Sequence, residues 1–247
     1  MANAKDNYMI LHTLLLSCAC TLFSPAETSY TASLSYPTVQ QAGSKHSLDA
    51  LMLRHGMVEV TTLAPEIVID LRYATTDNFT GQQLYTDLNK AYLEKGFAQR
   101  IAKAQTILSR RRPGYRLVIF DAARPISVQR KMYALVANTP LKIYVANGDR
   151  GGRHNYGVAV DLSIVDEKGN LLDMGTPFDH FGEEAHTDKE EQLVKAGRIS
   201  PQAKANREFL RQIMAEVGLR CYHREWWHFQ ERIDMKEVRR RYSLLNF

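Results

Sequence analysis

From residue 48 onward, short runs of β-branched and aromatic residues alternate with longer stretches whose apolar positions recur at helical spacing. Ile67-Val68-Ile69-Asp70-Leu71 is short, apolar and β-branched, and predicts a strand. Over 97–108, Ile101, Ala104, Gln105 and Leu108 fall at helical spacing, and Pro113-Gly114 stops that helix. Leu117-Val118-Ile119-Phe120 predicts a buried strand ending at Asp121, and Pro125 with Ser127 opens a helix over 127–136. The run Val158-Ala159-Val160-Asp161-Leu162-Ser163-Ile164 predicts the next strand, followed by a hairpin turn over 166–170. Ser200-Pro201 supplies an N-cap with proline at the first helical position. The helix after it carries Phe209, Leu210, Ile213, Met214 and Val217 on one face, and Gly218 closes it. Trp226-Trp227-His228-Phe229 predicts a final strand. There is no internal repeat. The mixed order and the hairpin signals predict a single α+β domain, with helices packed on a mostly antiparallel sheet.

The pattern differs upstream. Lys5 precedes the apolar stretch Met9-Ile10-Leu11-His12-Thr13-Leu14-Leu15-Leu16, which continues to Phe23 before Ser24-Pro25-Ala26. This is the layout of an export signal over 1–26, and it predicts a periplasmic or cell-envelope protein. The stretch is shorter than the roughly 20 apolar residues of a membrane span. Leu16-Ser17-Cys18-Ala19-Cys20 partly matches a lipobox, so a lipid anchor at Cys18 or Cys20 stays open, as does an uncleaved N-terminal anchor. Residues 27–47, rich in Ser, Thr, Ala and Gln, read as a linker, and 48–247 as the domain proper. Cys221 is the one cysteine beyond the leader, which excludes an intramolecular disulfide in the mature chain. A buried thiol is the reading for it.

Composition adds little. The 247 residues are 45% apolar and 24% charged with a net charge of +5, values close to the globular average. The basic runs Arg110-Arg111-Arg112 and Arg239-Arg240-Arg241 lack interleaved aromatics and read as solvated helix ends. No nucleic-acid surface is expected.

Chemistry concentrates in three segments. In His154-Asn155-Tyr156-Gly157-Val158-Ala159-Val160-Asp161, a histidine precedes a glycine turn and an aspartate sits inside an apolar strand, where burial demands a partner or a metal. A turn histidine with a strand-edge aspartate is the plain alternative. Glu225-Trp226-Trp227-His228-Phe229 wraps a carboxylate and an imidazole in large aromatics, as in a partly dry site or in a core strand with a surface glutamate. Residues three apart on a regular strand face opposite sides, so Glu225 must precede the strand or sit at a bulge to share a site with His228. Asp121-Ala122-Ala123-Arg124-Pro125 puts an arginine at a strand mouth, suited to an oxyanion or a carboxylate, or simply to a surface ion pair. Two imidazoles, one carboxylate and a spare carboxylate are what a catalytic zinc requires: three ligands, an open position and a base.

These segments resemble the zinc D-Ala-D-Ala metallopeptidases, in the form of the VanX-type D-alanyl-D-alanine dipeptidases. Residues 153–161 match most of the motif S-x-H-x-x-G-x-A-x-D, and Glu225-Trp226-Trp227-His228 matches E-x-x-H. Asp70-Leu71-Arg72-Tyr73-Ala74-Thr75, Asn78-Phe79-Thr80-Gly81 and Met174-Gly175-Thr176-Pro177-Phe178-Asp179 extend the likeness across most of the domain. The resemblance implies a hedgehog-like fold and one Zn2+ per chain held by His154, Asp161 and His228. It implies Glu225 as general base, Arg124 at the scissile carbonyl, Asp179 as the partner of the substrate's free ammonium, and Tyr73 in the substrate pocket. The small D,D-dipeptide is the implied partner, and a D,D-carboxypeptidase acting on peptidoglycan stem peptides is the alternative that Asp179 disfavours. The sequence departs from the motif at Gly152, where the family has serine. His180, His186 and His223 remain as competing ligands, whereas His46 and His55 lie outside any motif.

Overall fold

The computed structural model describes residues 47–247. The expected leader over 1–26 and most of the linker lie outside the described residues. The elements, in order, are α1 (Leu48–Arg54), β1 (Val58–Glu59), β2 (Val68–Ile69), β3 (Tyr92–Leu93), α2 (Lys95–Arg111), β4 (Arg116–Asp121), α3 (Ile126–Val136), β5 (Ala159–Val165), α4 (Glu190–Lys195), α5 (Pro201–Glu216), β6 (Arg220–Tyr222), β7 (Glu225–Gln230) and α6 (Met235–Arg241). Five strands form one sheet in the order β2-β4-β5-β7-β6, and β1 pairs with β3 in a separate two-stranded ribbon. Within the large sheet only β2 runs parallel to its neighbour. The architecture is the expected α+β domain with a mostly antiparallel sheet.

Local chemistry explains the boundaries. Ser200 Oγ accepts the Ala203 amide at 2.9 Å and caps α5, whose Leu210, Ile213 and Met214 are fully buried. Glu94 caps α2 through the Phe97 amide at 2.9 Å. Both arginine runs end helices, Arg110 and Arg111 in the last turn of α2 and Arg239 to Arg241 in that of α6. Asp166 organises the hairpin turn by accepting the amides of Lys168 and Asn170. The sequence pattern predicts no element beyond β7, but α6 follows it; α6 is short and buries only Val238, too little for a period to show.

β5 lies at the centre of the sheet and is buried along its whole length. Leu162 and Ile164 pair with Ile119 and Leu117 on one face, while Asp161 and Ser163 point to the other. We expect Leu162→Ala to lower the unfolding free energy by about 2–5 kcal/mol in denaturant titration, the usual cost of a cavity at a fully buried leucine.

Candidate active site

Register assembles the site. Asp161 on β5 lies directly opposite His228 on β7 and Asp121 on β4, and directly opposed residues of antiparallel strands share a face. Asp121, Asp161 and His228 therefore form a row across three strands. Irregularities adjust both ends of it. A register shift in β4 between Ile119 and Asp121 swings Asp121 onto this face, and a second shift between β6 and β7 occurs where Tyr222 pairs with Glu225. The second shift resolves the spacing of Glu225 and His228, since Glu225 Oε2 comes within 3.8 Å of His228 Nδ1.

His154 arrives from a single 3-10 turn, Arg153–Tyr156, that enters β5. Gly157 ends this turn at φ 68°, and a Cβ there would lie 2.6 Å from Met57 Sδ and 2.9 Å from the Glu94 amide nitrogen. A lattice of hydrogen bonds ties the turn to the loop after β4. The Arg124 amide donates to His154 O (3.0 Å), and Asn155 Nδ2 donates to Arg124 O (2.8 Å) while its Oδ1 accepts the Gly152 amide (2.7 Å). The chain's last residues close the brace: the Leu245 amide donates to Asn155 O, and the Ile126 amide to Leu245 O.

The three candidate ligands meet in the resulting cavity. His154 Nε2 lies 3.2 Å from His228 Nδ1 and 3.5 Å from Asp161 Oδ2, and His228 Nδ1 lies 3.0 Å from Asp161 Oδ1. Ligands at about 2.0–2.2 Å from a tetrahedral zinc stand roughly 3.3–3.5 Å apart, so this donor set fits with small adjustments. Tautomer control fits as well. His154 Nδ1 donates to Ala122 O (2.7 Å), which leaves Nε2 free to bind a cation. Charge also matches, because three carboxyl groups, those of Asp161, Asp179 and Glu225, line the cavity with the two imidazoles, and a cation would offset them. Burial alone would push the Asp161 carboxyl up, but His154 and His228 beside it hold it well below the usual range. Burial pushes Glu225 up to about 8, with Asp161 and Asp179 adding to the rise and His228 opposing it.

Arg124 is itself buried and tightly held. Its Nε and Nη2 donate to Asp121 Oδ2, and its Nη1 to Gln129 Oε1 (2.9 Å). Tyr85 OH donates to the other oxygen of Asp121 at 2.7 Å. The guanidinium carbon sits 5.2 Å from the centroid of Tyr73. Tyr73 OH in turn donates to Asp179 (3.1 Å), which also accepts the Phe79 amide (3.3 Å). Asp179 occupies the left-handed region at φ 62°, uncommon outside glycine and tolerated best by Asn and Asp. Burial pushes its carboxyl up to about 7 despite those two donors. All seven residues singled out for the site line one cavity of about 350 Å³.

Some residues stand elsewhere. His223 is exposed, and His180 pairs with Glu184 at 3.0 Å; neither lines the cavity. At Gly152 an added Cβ would come within 2.9 Å of Ala146 Cβ, so Ala146 occupies the room a serine side chain would need. Sequence reasoning gave no role to Asp121, Gln129, Asn155 or Gln230. Asp121 was the one carrying a signal, as a carboxylate at the end of an apolar strand. Burial pushes the Cys221 thiol up to about 12, as befits an unreactive cysteine.

Two imidazoles and a carboxylate around one point, with a buried glutamate alongside, define the centre of a metal-dependent hydrolase. Comparison narrows the class: residues 54–245 match the peptidase M15 family model, described as D-ala-D-ala dipeptidase. The chain belongs to this family and is a peptidase. It is 34% identical to the D-alanyl-D-alanine dipeptidase of Escherichia coli K12 over 174 residues, covering 70% of this chain and 83% of the relative. The corresponding enzymes of Enterococcus faecium (30% over 177 residues; 65% and 83%) and Streptomyces coelicolor (31% over 191 residues; 69% and 88%) are similar to it as well.

The position of Asp179 sets a pH dependence of stability. Its folded pKa of about 7 exceeds the unfolded value near 3.9, so between them the folded state binds a proton that the unfolded state lacks. Its burial penalty is thus absent at about pH 4 and fully developed above about pH 7. Asp179→Asn keeps an acceptor for Tyr73 and tolerates the same φ. In thermal melts of metal-free protein it should raise Tm by several degrees at pH 8, with the gain vanishing toward pH 4.

Proposed function

We propose that the protein is a zinc-dependent dipeptidase that hydrolyses D-alanyl-D-alanine to two D-alanines. The observation that carries this reading is the meeting of His154, Asp161, His228, Glu225, Arg124 and Asp179 in one cavity sized for a small molecule. Membership of the family and the names of the relatives support the substrate.

His154, Asp161 and His228 would hold one zinc ion per chain. Bound there, zinc supplies Lewis acidity, which makes water a competent nucleophile near neutral pH. Glu225, buried beside His228, accepts the proton of the attacking water and delivers it to the amine nitrogen that leaves. Arg124, fixed through three of its nitrogens by Asp121 and Gln129, directs its remaining N–H bonds at the oxygen on which negative charge develops. Asp179 receives the substrate ammonium, and Tyr73, bridging Asp179 to Arg124, sets the distance between the charge anchor and the reacting carbonyl.

The reading places a leader over 1–26, a linker over 27–47 and the catalytic domain over 48–247, with activity in the periplasm or cell envelope. Such an enzyme serves cell-wall dipeptide turnover or recycling. Among the described residues no helix is long and apolar enough to cross a membrane.

Metal analysis of purified protein should find about one zinc per chain, and exhaustive chelation should abolish activity. Glu225→Gln should keep the metal while kcat falls by about 10²–10⁴-fold; normal turnover in that variant would place the base elsewhere. Free D-Ala-D-Ala should exceed its N-acetyl derivative in kcat/KM by on the order of 10²–10³, because an acylated amine leaves Asp179 unpaired in a confined site. Preference for the N-blocked peptide would reassign the enzyme as a D,D-carboxypeptidase of stem peptides.

A further inference from the structure

We propose that Gln230 is a positioning residue whose amide oxygen holds the proton of His228 on Nε2, so that the Nδ1 lone pair faces His154 and Asp161. The proposal rests on the reading of those three residues as metal ligands. Gln230 ends β7 two residues beyond His228, on the same face, and is 8% exposed. Its Oε1 lies 3.1 Å from His228 Nε2, while the other ring nitrogen looks into the ligand cluster.

A neutral imidazole carries one N–H and binds a metal through its other nitrogen. The backbone settles this for His154, because the Ala122 carbonyl can only accept. His228 has two acceptors competing for its single proton. Asp161 Oδ1, at 3.0 Å, would draw it onto Nδ1 and leave no lone pair for the ion. Gln230 Oε1 draws it onto Nε2 and frees that lone pair. With its oxygen turned to the ring, the amide –NH2 of Gln230 has no hydrogen-bond partner among the described residues, and the side chain lines the cavity. Turned over, the amide would present a donor to Nε2 and stabilise the tautomer that Asp161 prefers. Gln230 thus tips the contest, and removing its oxygen leaves the ring proton on Nδ1, donated to Asp161. Loss of such a partner commonly weakens metal binding by about 10–100-fold.

The test is zinc affinity of the metal-stripped chain, measured by competition with a chromophoric chelator, on the wild type and three variants. Gln230→Met, similar in size but without a strong acceptor, should raise Kd by about 10–100-fold. Gln230→Glu keeps the acceptor and should bind as tightly as the wild type or more so, whereas Gln230→Lys, a donor only, should bind weakest. In zinc-loaded wild type, 15N spectra should show the His228 proton on Nε2. Melting curves of the metal-free variants separate misfolding from lost affinity. Wild-type affinity in a folded Gln230→Met, or equal weakening in Gln230→Met and Gln230→Glu, would overturn the proposal. A wild type that binds no zinc would overturn the metal site along with it.

Discussion

The carboxylate of Asp161 is withdrawn from water on the central strand of the sheet, between Val160 and Leu162, which turn the opposite way. An isolated charge in that position costs several kcal/mol unless it is met by opposite charge or hydrogen bonds. The imidazoles of His154 and His228 converge on it, and Asp121 next to it is answered by Arg124 and Tyr85. Each of these partners needs fixing in turn, which is the work of the Ala122 carbonyl, Gln129 and Gln230. The polar network grows outward from one buried charge until it reaches backbone or solvent.

Much of this was legible along the chain, and for identifiable reasons. The central strands β4 and β5 and the helices α2, α3 and α5 are long enough for apolar periodicity to show, and their caps are local. His154, Asp161, Glu225 and His228 betrayed themselves as polar residues in apolar or aromatic settings. What periodicity could not convey was register: nothing local says that position 161 faces position 228, or that a bulge brings Glu225 round to His228. The two-residue strands β1, β2 and β3 are too short to carry a period. Supporting residues were hidden because Gln and Asn serve equally well on a surface. Their meaning here lies wholly in their partners.

The one departure from the family motif has a steric counterpart. Ala146 fills the room beside Gly152, and its carbonyl accepts Gln129 Nε2 at 2.7 Å, the same side chain that steadies Arg124. The missing hydroxyl and the support of the arginine therefore belong to one packing arrangement. Restoring serine alone would press on the segment that holds Arg124 in place.

The hydrogen bonds of Leu245 to Asn155 and Ile126 bear on how the protein is made. The loop with Arg124 and the turn with His154 precede His228 in the sequence, and the segment that clamps them together follows it. Because these contacts join residues far apart in sequence, closing them is entropically late in folding as well as late in synthesis. A partly made chain holds the sheet's central strands but neither the complete ligand set nor its brace. Until that clamp closes, the loop and the turn lack the contacts that tie Arg124 and His154 to one another through Asn155 and Ile126.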